Sequence, residues 1–449
     1  MALGWRILNE GEYRVRMPAL SADEEEFVSG MASRFKEHIR VSEFRGEAEI
    51  TEMLHSILLG MAKDDGISLD AGQKKYLVEA AFRHIYGLAF FDELLKDPEI
   101  EEIAVIGLSK PVYVFIAGKG WKTVNAAITD EHTLMEIINK MAKGIGRRIT
   151  LQHPRLDASL HDGSRLHASI SPVSAGELTI RKFKTTPLSP RQLIDNRTGN
   201  APIFALLSMF MQSDSSVIVS GNTAGGKTTT LNSLFTFVPK DERILITEET
   251  PEISIPHEHQ IRMVANKDMG ISLMDLIYDS LRMRPDRIIV GEVRNREEVN
   301  ALVDVLLGGQ ARGVYATFHA QSSQEALNRL ASMGVQRMDL SSIDLIAVQR
   351  RMMAYDRKRR ATKEVRKISE LSLVENGAPV TLARYDMQKD AWKTENIEKA
   401  LSLLAERMGF SAQEAEKEMK FRERLIERAP EDFVGFYAAV QKELYGEAK

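Results

Sequence analysis

Residues 221–228 read Gly-Asn-Thr-Ala-Gly-Gly-Lys-Thr and follow directly on Ser216-Val217-Ile218-Val219-Ser220, a short β-branched run. A loop of this pattern needs a strand before it and a helix after it. Glycines at 221, 225 and 226 turn the backbone tightly and point successive N–H groups inward at the start of a helix beginning near Lys227. The result is a concave anion site that fits a triphosphate. Lys227 would reach the β- and γ-phosphates, and the Thr228 hydroxyl would complete a Mg²⁺ shell made otherwise of phosphate oxygens and water. Gly221, Asn222, Thr223, Ala224, Gly225, Gly226, Lys227, Thr228 and Thr229 are therefore the candidate nucleotide-binding residues.

A chain of 449 residues is too long for one ordinary core, so two or three domains are expected. Hydrophobic content of 43% and charged content of 28% belong to a folded soluble protein. The net charge of -4, on 60 basic and 64 acidic residues, gives no global bias toward nucleic acid or anionic membrane. The lack of cysteine excludes disulfides, Cys-ligated zinc and thiol catalysis, and suits a cytosolic protein. The opening MALGWRILNEGEYRVRM is interrupted by charges and lacks an apolar signal core. Nowhere do 18 apolar residues run consecutively, so membrane contact is expected to be peripheral or through a partner.

Residues 1–96 read as an N-terminal helical segment, with Ile50, Met53, Leu54, Ile57, Leu58 and Met61 at helical spacing. From residue 97 to 183 the texture changes. Ile103-Ala104-Val105-Ile106 and Val112-Tyr113-Val114-Phe115 look like strands broken by Gly118 and Gly120. A helix follows through Leu134, Ile137, Ile138 and Met141, and then more strand-like pieces. Residues 184–200 form the linker, opening on the proline-interrupted Lys184-Thr185-Thr186-Pro187-Leu188-Ser189-Pro190. Over 201–370, strand-like runs at 216–220, 243–247, 287–291 and 313–317 alternate with helical runs at 227–237, 272–283 and 296–307. Such alternation implies an α/β fold whose parallel sheet is covered by helices and carries its chemistry at the strands' carboxyl ends. Residues 371–449 read as a hairpin and helical tail.

Each later strand also ends on polar residues. Arg243-Ile244-Leu245-Ile246-Thr247 runs into Glu248-Glu249-Thr250-Pro251-Glu252, where three carboxylates within five residues could orient a water, touch Mg²⁺ or supply a general base. Taken alone this is a solvated acidic turn; its place after the phosphate loop gives it chemistry. Arg287-Ile288-Ile289-Val290-Gly291 ends at Glu292, a carboxylate suited to hold a metal's water shell or polarise an attacking water. Gly313-Val314-Tyr315-Ala316-Thr317 leads to His319, which at that position can bond phosphate or sense the nucleotide.

These elements in this order, GNTAGGKTTTLNSL, ITEETPE, LRMRPDRIIVGEVR and ATFHA, resemble the Walker A, Asp box, Walker B and His box of the type II and type IV secretion ATPases, a family that includes the motors of type IV pili, tight-adherence pili and the archaellum. Asp97-Pro98-Glu99-Ile100-Glu101-Glu102-Ile103, Leu156-Asp157-Ala158, Asp162-Gly163-Ser164-Arg165 and Thr179-Ile180-Arg181-Lys182-Phe183 are similar to the family's PAS-like N-terminal domain. TAGGKTTTLN and the RKF ending lean toward the archaeal branch. The resemblance implies a RecA-like domain preceded by a PAS-like α+β domain, in a homohexameric cytosolic ring. ATP and Mg²⁺ are its implied ligands, and hydrolysis would move one domain against the other. Among site residues it implies Glu248 as the Asp-box acid and general base, Glu292 as the Walker B acid that meets Mg²⁺ with Thr228, and His319 as the nucleotide sensor. Arg165 and Arg181, with Arg155 a weaker candidate, match arginines that reach phosphate, where a guanidinium stabilises transition-state charge. Arg282, Arg284 and Arg294 are candidates to position the acids or bridge subunits.

The chain departs from the family pattern at Glu249, where aspartate is usual, and at Gly309-Gln310, where Gly-His is common. The four-cysteine zinc module of bacterial type II members is impossible here. The dense positive tract from Gln349 to Lys367 reads as a solvated hairpin or an intersubunit contact, with nucleic acid or anionic lipid headgroups as the other uses. The implied partner is an integral-membrane platform protein at the inner face of the cell membrane, with no specific nucleic acid. Two other readings stay open, a RecA-like nucleic-acid motor and a nucleotide-dependent assembly component with little turnover.

Overall fold

Period-2 and period-3.6 runs on one chain must sort into sheets and covering helices, and a computed structural model of the chain contains two sheets, each with its own layers. The structure describes residues 5–8, 11–15, 20–39, 47–116, 119–160, 162–183, 187–266, 269–356 and 360–446. Lys184, Thr185 and Thr186 of the expected linker lie outside these residues, as do Gly118, Arg357, Lys358, Arg359 and Glu447. The chain divides into two units, Met1–Lys184 and Thr185–Lys449.

The first unit opens with β1 (Trp5–Ile7), followed by α1 (Ala22–Ile39), α2 (Glu47–Asp64), α3 (Ala71–Tyr86) and α4 (Phe91–Lys96). Among the described residues before 97, four helices follow a short strand, and that strand is no part of the expected helical segment. Leu54, Ile57, Leu58 and Met61 of α2 are buried against Val28, Met31 and Phe35 of α1 and Leu77 and Ala81 of α3, which is the apolar stripe their spacing requires. Then come β2 (Ile100–Val105), β3 (Pro111–Ile116), β4 (Gly120–Ile128), α5 (Glu131–Ala142), β5 (Arg155–Ser159), β6 (Arg165–Ser169) and β7 (Glu177–Arg181). They form one antiparallel sheet in the order β1-β4-β3-β2-β7-β6-β5. Leu134, Ile137 and Ile138 of α5 share a core with Ile103, Val114, Val124, Leu166 and Leu178. This is the PAS-like α+β element.

The second unit runs through α6 (Pro190–Asp195), α7 (Ala201–Gln212), β8 (Val217–Gly221), α8 (Lys227–Leu234), β9 (Ile244–Glu248), β10 (Gln260–Val264), α9 (Leu273–Ser280), β11 (Arg287–Val293), α10 (Arg296–Gly308), β12 (Gly313–Phe318), α11 (Ser323–Ser332), β13 (Leu345–Asp356), β14 (Ala361–Glu375), β15 (Ala378–Asp386), β16 (Ala391–Thr394), α12 (Ile397–Met408), α13 (Ala412–Arg428) and α14 (Phe433–Tyr445). Its nine strands lie in the order β10-β9-β11-β12-β8-β13-β14-β15-β16. From β10 to β13 every pairing is parallel. From β13 to β16 every pairing is antiparallel. Strand β12 lies between β8 and β11, so the unit is RecA-like, and the expected parallel sheet is the larger half of a mixed one.

Alternate residues of the central strands enter opposite cores, as a sheet covered on both faces requires. Val217, Val219, Ile289 and Tyr315 pack with Phe204, Phe210, Leu231 and Leu404. Ile218, Ile288, Val290, Val314 and Ala316 pack with Ile277, Leu302 and Leu327. At the amino ends of the strands Arg287, fully buried, bonds Glu242 through Nε at 2.5 Å and Nη2 at 3.1 Å and reaches the Tyr315 hydroxyl at 2.9 Å.

One strand of this unit differs from the sequence reading. Strand β10 was not expected, because Gln260-Ile261-Arg262-Met263-Val264 is an edge strand with no fully buried residue. The basic tract forms a hairpin, residues 350–356 pairing with 361–367 as the outer part of β13–β14. Strand β14 also runs without a break through residue 370.

Candidate functional site

The loop after β8 has the backbone its glycines imply. Gly221 has φ 153°, Ala224 57° and Gly226 96°, and such turns into the left-handed region aim neighbouring N–H groups at a common point. A Cβ at Gly221 would stand 1.8 Å from the Gln349 carbonyl oxygen, and one at Gly226 would stand 2.6 Å from Gln349 Nε2. The loop is therefore pressed against the start of the β13–β14 hairpin. Asn222 fixes the contact, its Oδ1 accepting from Arg351 N at 2.8 Å and its Nδ2 donating to Arg351 O at 2.9 Å. Helix α8 begins at Lys227 with Gly226 as its N-cap, so its free N–H groups and dipole face the loop.

Three of the candidate residues meet here. Lys227, only 7% exposed, donates to the Asn222 carbonyl at 3.5 Å and stands 3.9 Å from Glu292 Oε1. His319 Nε2 lies 2.6 Å from Glu292 Oε1, and its Nδ1 lies 3.5 Å from Lys227 Nζ. Burial and the Lys227 charge lower the His319 pKa. The ring thus bridges the Glu292 carboxylate and the Lys227 ammonium, with the Gly221 backbone as a further partner. Hydrogen bonds between strand ends hold the group in place. Thr317 donates to Gly291 O at 2.5 Å, and Ser220 donates to Ala320 O at 3.1 Å.

The acidic loop after β9 divides its labour in a way that residue order does not reveal. Glu248 is 1% exposed. Its Oε1 accepts from the Glu252 and Ile253 backbone N–H groups at 2.7 and 2.8 Å, and its Oε2 lies 3.3 Å from Arg262 Nε. Burial pushes its pKa up to about 7, against those favourable contacts. Glu248 therefore folds the turn. The carboxylate that the turn presents to the phosphate loop is Glu252, whose Oε2 accepts from the Thr228 hydroxyl at 3.1 Å. Glu249 reaches Arg294 Nη1 at 2.7 Å, and Arg294 Nε reaches Glu292 Oε2 at 2.6 Å. The glutamate at 249 thus has a partner, and Arg294 links the two acidic strand ends. Arg282 instead pairs with Asp279 at 3.5 Å, well exposed, and Arg284 closes a turn at φ 52°.

Gln310 lies at the other end of the strands, before β12. It lines a polar cleft of about 490 Å³ with Asp214, Arg312, Asp344 and Arg407. Arg165 and Arg181 belong to the first unit. They are register partners on β6 and β7 and lie on the exposed face, where Arg165 pairs with Asp157 at 3.1 Å. Arg155 is exposed on the neighbouring β5.

The donor set suits a polyphosphate with its magnesium. The inward-turned loop, one buried lysine and a helix N-terminus face the same point, with a threonine hydroxyl and two carboxylates beside them. Thr228 would hold Mg²⁺ directly and Glu252 and Glu292 its waters, where the ion would neutralise phosphate charge. No cluster of three or more His, Asp or Glu suited to a metal exists among the described residues, and a shell of phosphate oxygens and water does not need one. No helix among those residues is long and apolar enough to cross a membrane.

A family model described as "Type II/IV secretion system protein" matches residues 88–415. The chain is 34% identical over 265 residues to the uncharacterized protein MJ0781 of Methanocaldococcus jannaschii, an alignment covering 52% of this chain and 37% of that protein. It is 30% identical to MJ0900 of the same organism, over 68% of this chain and 55% of the other. The chain thus spans about a third to a half of these two relatives. The type IV secretion system protein VirB11 of Bartonella quintana is 26% identical over 53% of this chain and 76% of its own. Among solved structures, the Legionella pneumophila ATPase DotB aligns with TM-score 0.46 and 17% identity over 80% of this chain and 91% of that one.

Proposed function

We propose that this chain, which belongs to the type II/IV secretion system protein family, is an ATP hydrolase that drives a secretion or pilus-type machine from the cytoplasmic face of the cell membrane. The observation that carries the reading is the phosphate loop with Glu252 on Thr228 and with Glu292 and His319 beside Lys227. Lys227 and the α8 N-terminus bind the phosphate chain and stabilise the charge that builds on it. Glu252 takes the role of general base, accepting the proton of the attacking water. Glu292, held by Arg294, orients that water, and His319 reports the γ-phosphate by exchanging its bond to Glu292. The products are ADP and inorganic phosphate. Glu252 is preferred to Glu248 as base because the Glu248 carboxylate already closes its own turn.

Support for a membrane-machine partner comes from the family and from VirB11, which is a type IV secretion system protein by name. We extend the reading to a homohexamer that contacts an integral-membrane platform protein, with Arg165 and Arg181 delivered to phosphate on domain closure. The filament or substrate driven belongs to the pilus-like or archaellum-like class. The test is the ATPase rate of the wild type and of Glu252→Gln and Glu292→Gln, with oligomeric mass recorded with and without ATP. Magnesium-dependent turnover by a hexamer, lost in both variants while nucleotide still binds, is the expected result. A monomer without turnover would sink the motor reading, and turnover requiring single-stranded DNA would replace it with a nucleic-acid motor.

A further inference from the structure

We propose that Arg366, on the β14 flank of the phosphate loop, binds the part of the nucleotide's phosphate chain that ATP and ADP share; this rests on the nucleotide assignment above. The β13–β14 register sets Arg351 opposite Arg366 and Met353 opposite Glu364. Side chains alternate along a strand, so Gln349, Arg351, Glu364 and Arg366 share one face. That face looks onto the loop. Gln349, 2% exposed, accepts a hydrogen bond from Thr230 of α8, and a Cβ at Gly226 would stand 4.0 Å from Arg366 Cδ. The guanidinium stem therefore lies beside the residue that caps the phosphate-binding helix.

The guanidinium is held but not satisfied. Arg366 Nη2 lies 3.2 Å from Glu364 Oε1, and the other oxygen of Glu364 lies 3.7 Å from Arg351 Nη1. Arg366 Nε is shielded from solvent and has no hydrogen-bond partner among the described residues. A shielded charged donor without an acceptor is a costly arrangement, and a phosphate oxygen beside Gly226 is the acceptor the geometry calls for. Arginine suits that task because its fork of N–H groups can keep Glu364 on one edge and meet phosphate on another.

Sheet order explains why the shared phosphates are the target. Strands β12 and β11 lie on one side of β8, and β13 and β14 lie on the other. Glu292 and His319 stand on the first side, where the phosphate to be released must sit. The hairpin stands on the second. A cation there attracts ATP and ADP alike, which is uniform binding.

The test is calorimetric titration of the full chain with ADP and with the non-hydrolysable analogue AMP-PNP. Arg366→Ala is expected to weaken both about tenfold, the loss typical of one charge-assisted hydrogen bond. Glu364→Gln is expected to tighten both, because it frees the guanidinium and removes a negative charge near phosphate. If the ion pair were only structural, both variants would weaken binding together, and the proposal would fall. It would also fall if Arg366→Ala bound both nucleotides as the wild type does, or lost affinity for AMP-PNP alone. Lys227→Ala run alongside separates the two levels. Its full retention of affinity would overturn the nucleotide assignment, whereas its loss with Arg366→Ala intact would remove only Arg366.

Discussion

Thr228 and Glu252 face each other across the phosphate loop, hydroxyl to carboxylate at 3.1 Å. The contact joins the first turn of α8 to a turn that follows β9. It sets Glu252, and not the buried Glu248, beside the Thr228 hydroxyl, and the proposed role of Glu252 as base rests on that placement.

The two glutamates should separate cleanly by substitution. Glu252→Gln is expected to lower kcat by about 10²-fold or more, the range for a lost general base, with nucleotide affinity retained. Glu248→Gln keeps an oxygen for the Glu252 and Ile253 N–H groups and should leave most of the turnover. Steady-state kinetics on both variants decides it, and the reverse pattern would return the role of base to Glu248.

Stability should carry the signature of Glu248. Its carboxyl pKa is pushed up to about 7 by burial, above its value in the unfolded chain, so the native state holds the extra proton between about pH 4.5 and 7. The contribution of this group therefore falls as pH rises through that window and is flat above it. The change is on the order of 3 kcal/mol. Urea denaturation of wild type and Glu248→Gln from pH 5 to 8 should show the slope in the first and its loss in the second.

The pair Arg287 and Glu242 is buried at 0% and 5% exposure, with Arg312 also donating to Glu242. Glu242→Gln would leave a buried guanidinium without its counter-charge, at a cost of about 3–5 kcal/mol. Thermal unfolding should show a large drop in Tm. A shift near zero would mean that the Tyr315 hydroxyl and the Ser213 carbonyl, which accepts from Arg287 Nη1 at 3.1 Å, alone satisfy Arg287.

Gly221→Ala is expected to break the junction between loop and hairpin, because its Cβ would meet the Gln349 carbonyl at 1.8 Å. Nucleotide affinity and Tm should fall together. Ser216→Ala, at the other end of the same run, removes a hydroxyl and adds no atom, and serves as the comparison. Equal affinity in the two variants would refute this account of the loop.

Much of this was legible in the chain. The β-branched runs at 216–220 and 287–291 announced strands, and the octapeptide at 221–228 fixed what lay between β8 and α8. Which carboxylate meets the Thr228 hydroxyl was not legible, because Glu248, Glu249 and Glu252 are equivalent until the turn is folded. The turn is folded by hydrogen bonds from Glu252 N and Ile253 N to Glu248, and these have no sequence signal. Arg366 was hidden in another way. Among so many cations its place depends on a register of fifteen- and twelve-residue strands with a slip at Val348/Gln349, and composition reports neither. The one usable hint was period: Arg351, Met353 and Tyr355 alternate as exposed positions.

The Asn222–Arg351 clasp gives the hairpin a mechanical meaning. From Gln349 to Asp356 the strand travels roughly 23 Å beyond the loop, as a stiff two-stranded beam whose root is bolted to the phosphate cradle. A tilt of about 5° at that root displaces the far end by about 2 Å. Any change of angle at the cradle would therefore be magnified at the far end, with the hairpin as a lever arm.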